Sequence, residues 1–475
     1  MVVDLELEQS VMRDRRLPLQ QVPVSYSWHP WITLPKSFSN MSSAESNITT
    51  LIDQQKMTAV QYATILICFL MNMLDGMDVL VIAFTAPAIS GEWSVSPQAL
   101  GVVFSAALIG MTMGALFIAP QADKIGRKAM ILGCAVLMGT SVFATSFAGS
   151  VNQLMILRFI SGLGIGSMLA SVSTLASEYA PNKSKDFWVS LVMGGYPVGA
   201  VLAGLVAAEI IPSMGWRGMF QFAGLATLVT IPLILLFLGE SLEYLVKRRP
   251  KDALQKINRI LSKMQVPVFE ELPQAQETAK AGSISSLFKG PLKTQTLFLW
   301  LAFFMAFATL YFLLSWIPKL TTAAGMPERL GIYSGTVFNL GSFVGIVVLG
   351  GMAIKIGLRK TIFIFLGSAA VLMMLFGNFS GSFMVLVMFG VIGFAMQGGF
   401  VGLYPVAARL YPAEIRTTGV GWAIGAGRSG AILGPIVAGQ LVGAGFTIAT
   451  NFIIFAIPCI IAGFAALAIK SKNVS

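Results

Sequence analysis

Charge is what this chain has least of. Asp, Glu, Lys and Arg make up 11% of its 475 residues, against about 25% in soluble globular domains. Histidine occurs once, as His29 in the polar amino-terminal stretch. Cysteine occurs three times, as Cys68, Cys134 and Cys459, each in a separate apolar run. With no second histidine and no cysteine cluster, zinc, haem and histidine-based acid–base catalysis have no residues to work with. No disulfide framework is spelled out either. No nucleophile–base set stands out, so neither an enzyme, a cofactor nor a metal is expected. The net charge of +11 suggests nucleic acid only until the charges are placed. They gather in alternate loops, as orientation signals rather than a binding patch, so no nucleic-acid partner is expected.

What the chain has instead is apolar length. Hydrophobic residues make up 56% of it and the mean hydropathy is +0.78. Twelve apolar segments approach or exceed the roughly 20 residues that cross a bilayer. They are 58–89, 98–121, 129–149, 151–179, 187–211, 217–239, 294–318, 331–353, 361–378, 381–409, 417–443 and 446–469. The chain therefore reads as an all-α membrane protein. The reading divides it into a disordered cytoplasmic tail (1–57), an amino-terminal six-helix bundle (58–239), a cytoplasmic central loop (240–293), a second six-helix bundle (294–470) and a cytoplasmic end (471–475). Met41 is a candidate alternative start. Loops after segments 2, 4, 6, 8 and 10 carry Lys124, Arg127, Lys128, Lys183, Lys185, a group from Lys247 to Lys293, Lys355, Arg359, Lys360, Arg409 and Arg416. The opposite loops carry Arg217, Lys319 and Arg329. By the positive-inside rule both termini and the central loop are expected in the cytoplasm.

The two halves repeat. Lys124-Ile125-Gly126 recurs as Lys355-Ile356-Gly357, an offset of 231. The same offset carries Pro87 onto Pro318, Gly110 onto Gly341, Gly114 onto Gly345, Pro181 onto Pro412, Gly194 onto Gly425 and Gly199 onto Gly430. Six segments separate equivalents, so the repeats are parallel, about an axis along the membrane normal, with a binding site expected between them near midplane.

The repeat also isolates what is not repeated. Asp75-Gly76-Met77-Asp78 sits mid-segment, and its two carboxylates at i, i+3 share a helix face. Ionisable groups at that depth cost about 2.5–3.5 kcal/mol on insertion scales and mark function by default. Their counterparts are Ala306 and Thr309; Arg158 in segment 4 maps to Phe389, and Arg428 in segment 11 maps back to Pro197. One half thus holds both acids and an arginine, the other half a second arginine. Asp75, Asp78 and Arg158 are the candidate proton-coupling residues, the bland alternative for Arg158 being a static counter-ion. Arg428 is the candidate carboxylate holder, because a guanidinium is always charged and grips carboxylates bidentately. Tyr196, Phe307, Tyr311, Tyr404 and Trp422, with the amides Asn339 and Gln397, lie in segments expected to face the centre. Each reads equally as core, but together they form a candidate stacking pocket. Asp123, Gly126, Arg127 and Lys128, in the loop between segments 2 and 3, are candidate gating residues; a basic anchor alone explains the bases but not Asp123 and Gly126. In the second copy Ile354 replaces the acid and Leu358 the first arginine of the pair, so the latch is expected mainly in the first half.

The loop resembles the signature of the major facilitator superfamily, with Ala119 in the first Gly position. Leu74 through Asp78, Ala122 through Lys128, Arg158 through Gly166, Ser177-Glu178-Tyr179-Ala180-Pro181, Gly215-Trp216-Arg217, Ser315-Trp316-Ile317-Pro318 and Tyr411 through Pro435 together resemble its aromatic acid:proton symporter family. Coverage runs from about residue 55 to 470, and Met77 stands where the family usually has an aromatic residue or Leu. Gly194 through Ala200 resembles the exporter Gly-Pro-x-x-Gly-Gly element poorly, and segment 7 lacks the paired glutamines of sugar porters. The resemblance implies the major facilitator fold and proton-coupled uptake, across the inner membrane, of an aromatic acid or a ring-cleavage dicarboxylate. It also implies alternating access, protons as the coupling ion, a small organic anion and the lipid bilayer as partners, and a monomer. A proton antiporter that exports, or a transport-dead membrane sensor, are the alternatives.

Overall fold

The computed structural model describes residues 52–53, 56–272, 284–290, 292–379, 381–412 and 415–470. The readings of the far amino-terminal tail, of Met41 and of 471–475 fall outside these. The described residues form helices and no strands. Ten helices are long and apolar enough to cross a membrane. One of them is double: the run Gly195–Phe237 is broken at Gly215, whose φ of 69° and ψ of −178° are open to a residue without a side chain. An eleventh-position helix, Arg416–Gly443, is also long, about 42 Å at 1.5 Å per residue. It is less apolar because it holds eight glycines and Arg428.

We number the spanning helices α1 (Ala59–Trp93), α2 (Pro97–Met113, prolonged through a π turn at Gly114–Ile118), α3 (Arg127–Thr145), α4 (Val151–Tyr179), α5 (195–214), α6 (216–237), α7 (Leu292–Ala323), α8 (Glu328–Ile356), α9 (Leu358–Leu375), α10 (Ser382–Leu410), α11 (Arg416–Gly443) and α12 (Ile448–Ala468). Two short helices, Leu242–Arg248 and Ala253–Lys263, lie between the halves in sequence.

Close glycine contacts make the repeat physical. Gly199 of α5 seats the backbone of α1 at Met73, and Gly430 of α11 seats α7 at Phe304. Gly110 and Gly162 join α2 to α4 at Phe159 and Ala107; Gly341 and Gly393 join α8 to α10 at Gly390 and Phe338. In each case an added Cβ would overlap the facing carbonyl. Both members of every contact move by the same 231 residues, so the two bundles share one packing scheme.

Contact between the halves is concentrated away from the basic loops. Gly101 of α2 lies against the Pro435 carbonyl of α11, and Gly439 against the Pro97 carbonyl. Ser105 Oγ donates to the Ile432 carbonyl at 2.7 Å. Phe104 packs edge-on to Trp316 of α7 at 5.4 Å. Gly204 of α5 faces Thr336 of α8, and Arg329 pairs with Glu209. At this same end Glu92 accepts from Trp216 Nε1 at 2.6 Å and from Arg217 at 2.7 Å, clasping the end of α1 to the α5–α6 turn.

Candidate functional site

Asp75 and Asp78 are 3% and 2% exposed in the middle of α1. Gly76 between them lets α1 rest directly on the Tyr196 carbonyl of α5. The acids are not equivalent. Arg158, fully buried in α4, donates Nη1 to Asp78 Oδ1 at 2.5 Å and Nη2 to the Asp78 carbonyl at 2.8 Å. Its guanidinium also lies 5.9 Å from the Phe220 ring centre. Asp75 Oδ1 is buried without a hydrogen-bond partner. One carboxylate is therefore held by a cation through Oδ1, with its Oδ2 unpartnered, while its neighbour a turn away has no ion pair among the described residues.

The second half supplies an aromatic wall. Phe303, Phe307 and Tyr311 follow one another at i, i+4, i+8 on α7, one face of a helix, and Phe400 and Tyr404 face them from α10. Phe307 stacks on Tyr311 at 5.9 Å and meets Phe400 edge-on at 4.7 Å; Tyr404 meets Phe303 at 5.3 Å and Phe400 at 5.7 Å. Gly427 of α11 has no side chain to push the Phe307 ring away, and the next residue is Arg428. Arg428 is half-buried, and among the described residues no carboxylate lies within ion-pair distance of it. Tyr196, whose backbone receives Gly76 of α1, buries its hydroxyl. Tyr196 thus belongs to the helix that lies directly against the acid-bearing turn of α1.

The remaining candidates are placed differently. Asn339 is buried on α8 and donates to the Gly335 carbonyl of its own helix at 2.8 Å. Gln397 is half-buried on α10. Trp422 does not join the aromatic wall: it is 45% exposed near the basic end and stacks on Trp300 at 6.1 Å. Segment membership placed it at the centre, but two turns of helix separate it from Arg428. Phe303 and Phe400 were not singled out from the sequence, although each precedes a chosen aromatic by four residues.

At the basic end the candidate gating loop is part of a larger network. Asp123 pairs with Arg127 at 2.7 Å across one turn. Gly126, with φ of 100°, reverses the chain between them and leaves room for the Glu240 carboxylate. Glu240 accepts from the backbone N–H groups of Lys128 at 3.0 Å and Ser241 at 2.8 Å. Ser241 Oγ donates to Glu178 at 2.8 Å, and Tyr179 Oη to the Glu240 carbonyl at 2.9 Å. The start of α3 and the ends of α4 and α6 are thereby tied together. Glu178 and Glu240 are not among the sequence candidates; their partners in this network are distant in sequence.

The sequence profile of the Major Facilitator Superfamily matches residues 68–351 and 332–474. This chain belongs to the major facilitator superfamily. Within it, the chain is 34% identical to a 4-hydroxybenzoate transporter of Pseudomonas putida over 84% of its own length and 90% of that protein's. It is 31% identical to a benzoate transport protein of Acinetobacter baylyi (88% and 91%) and 30% identical to a gallate transporter of Pseudomonas putida (90% and 95%). The fold matches the crystal structure of a D-xylose–proton symporter with a TM-score of 0.68 at 18% identity, over 87% of this chain and 98% of that one. The superfamily member described here is a multi-pass membrane transporter, not an enzyme.

Proposed function

We propose that this protein carries an aromatic carboxylate inward across the inner membrane together with protons, by alternating access between its two halves. The observation that carries the reading is what each half leaves unpartnered. An aromatic wall flanks an arginine that lacks a carboxylate partner, and Asp75, with a buried oxygen left without a hydrogen bond, lies on the helix whose Gly76 rests on Tyr196. A benzoate-like anion supplies what is missing: a carboxylate for Arg428 and a ring for Phe307, Tyr311, Phe400 and Tyr404. The names of the relatives at 30–34% identity point to the same ligand class.

Asp75 is the proton carrier on this reading. A buried carboxylate without a partner is costly when ionised, so it changes protonation as the site opens and closes. Asp78, held by Arg158 through its side chain and its carbonyl, positions the helix. Contact between the halves lies at the end away from the basic loops. With those loops and both termini in the cytoplasm, this is the inward-facing arrangement. Far-end cations support the orientation, since Arg217 and Arg329 are neutralised by Glu92 and Glu209.

Energetics favour protons as the driver. A monoanion entering a negative interior opposes about 2.3 kcal/mol per 100 mV; one proton cancels this and a second makes the potential drive uptake. The test is uptake of labelled benzoate, 4-hydroxybenzoate, protocatechuate and muconate into energised cells. Accumulation of one acid that collapses with a protonophore and in Asp75→Asn supports the proposal; each net charge no longer coupled lowers the accumulation ratio by about 50-fold per 100 mV. Accumulation that survives in Asp75→Asn moves the proton site elsewhere. No accumulation by wild type removes the substrate class.

A further inference from the structure

The latch at the basic end has an outer face, and that face is a cleft. It encloses about 300 Å³ between the start of α1 (Val60), the start of α3 (Lys128), the end of α6 (Leu235 through Glu240) and the short helix Ala253–Lys263. Four cations line it, Lys128, Lys256, Arg259 and Lys263, against the one carboxylate of Glu240. That carboxylate is already engaged by the N–H groups of Lys128 and Ser241. Lys256, Arg259 and Lys263 recur at i, i+3, i+7 along one face of their helix, while Ala253, Ile257 and Leu261 on the opposite face are buried. None of the three is in an ion pair among the described residues, and all three are exposed. Lys128 and Lys263 are close enough for their charges to act on one another.

Like charges gathered in a cleft are held apart by repulsion unless an anion sits among them. The rim states which anion. Leu235, Leu236 and Phe237 are 51%, 72% and 54% exposed at the last turn of a membrane-spanning helix, where acyl chains reach the headgroup level. Basic pockets between helix ends on the cytoplasmic side of a membrane suit acidic phospholipid headgroups.

We propose that this cleft binds the phosphodiester headgroup of an anionic phospholipid, with Lys256, Arg259 and Lys263 holding the phosphate and Leu236 and Phe237 lying along the acyl chains. The ligand chemistry is that of a phosphate anion and the source is the lipid. A soluble phosphate would meet the same cations but gain nothing from the apolar rim. The site is separate from Asp75 and Arg428 and does not depend on what the protein carries.

The test uses the full-length protein in mild detergent, titrated with phosphatidylglycerol, phosphatidylcholine and glycerol 3-phosphate, with bound ligand counted by native mass spectrometry. Phosphatidylglycerol is expected to bind at least about tenfold more tightly than either of the others. Each removed cation weakens it about fivefold. The triple variant K256Q/R259Q/K263Q thus loses on the order of a hundredfold in affinity. Because the three side chains are exposed, the fold is expected to survive, and circular dichroism checks it. R259Q alone (about fivefold weaker) and the charge-preserving K256R/K263R (unchanged) keep the test decisive if the triple variant does not fold. Equal binding of phosphatidylglycerol to wild type and a folded triple variant overturns the proposal, as does equal binding of phosphatidylcholine. Displacement of the lipid by an equal concentration of glycerol 3-phosphate would replace it with a site for free phosphate.

Discussion

The two halves are built on one packing scheme but hold opposite chemistry. Where the first half buries Asp75, Asp78 and Arg158, the second buries Ala306, Thr309 and Phe389, each 0% exposed. Thr309 turns its hydroxyl to the Phe455 carbonyl at 3.0 Å instead of meeting a cation. Conversely, the second half opposes Gly427 to Phe307, at the place where the first opposes Tyr196 to Gly76. Bulk has moved from one helix to its partner while the contact stayed. The lesson is that packing sites tolerate exchange of apolar volume, whereas the charged groups at membrane depth, Asp75, Asp78, Arg158 and Arg428, appear in one copy only. Duplicated positions therefore report the frame and unduplicated ones the chemistry.

The sharpest way to break this comparison is to make the first half resemble the second. Arg158→Gln alone leaves the Asp78 charge buried without its cation, which costs about 3–5 kcal/mol. A large fall in thermal midpoint, or loss of folded protein, is expected. The double change Asp78→Thr with Arg158→Phe copies the second half's residues. Replacing a buried ion pair by packing is often neutral or stabilising by about 1–4 kcal/mol, so folding is expected to recover. Concentrative uptake is not. A double variant that folds and still concentrates substrate would show that the ion pair is structural alone.

The arginine without an acid is next. Arg428→Lys keeps the charge but loses the planar fork. Charge-assisted hydrogen bonds are worth about 1.5–3 kcal/mol each, so the apparent KM for the carried acid should rise roughly tenfold to a hundredfold. Little change in thermal stability is expected, since no protein carboxylate is left unpaired. An unchanged KM would place the carboxylate elsewhere in the site.

Glycine changes sharpen the frame itself. At Gly76 an added methyl meets the backbone of Tyr196, which cannot swing away; at Gly427 it meets the Phe307 ring, which can. Gly76→Ala should therefore cost about 1–3 kcal/mol and Gly427→Ala less, read as thermal midpoints. Gly427→Ala should still disturb uptake by tilting the ring beside Arg428. Equal midpoints would remove the distinction between rigid and adjustable contacts.

How far the sequence alone reached follows from the same contrast. Membrane-spanning periodicity and the offset of 231 depend on local composition and on chain order, so the helices, the two bundles and the separation of acids from Arg428 were legible. Even the weakly apolar α11 was legible, because its glycines and Arg428 sit between long apolar neighbours. What was not legible depends on rotation and on distant partners. Nothing in Asp75-Gly76-Met77-Asp78 says which carboxylate meets Arg158, since that depends on how α1 and α4 are turned towards one another. Trp422 carries no mark that distinguishes it from a pocket aromatic until its stacking on Trp300 is seen. Glu178, at the end of segment 4, and Glu240, at the start of the central loop, show no link to one another until the ends of α4 and α6 are brought together.

The smallest expected effect on stability separates latch from anchor. Asp123 is 63% exposed and its pair with Arg127 is a one-turn surface ion pair, worth about 0.3–0.5 kcal/mol. Asp123→Asn should leave the thermal midpoint within about a degree, because the contacts of Glu240 and Ser241 with Lys128, Glu178 and Tyr179 still hold the start of α3 and the ends of α4 and α6 together. The second half lacks this acid, with Ile354 at the matching place, so nothing there compensates. If the pair helps set the balance between conformations, initial uptake rates should fall several-fold while equilibrium binding of the acid stays the same. If both rate and midpoint are untouched, the basic loop is an anchor, and the asymmetry between the halves at this end has no bearing on transport.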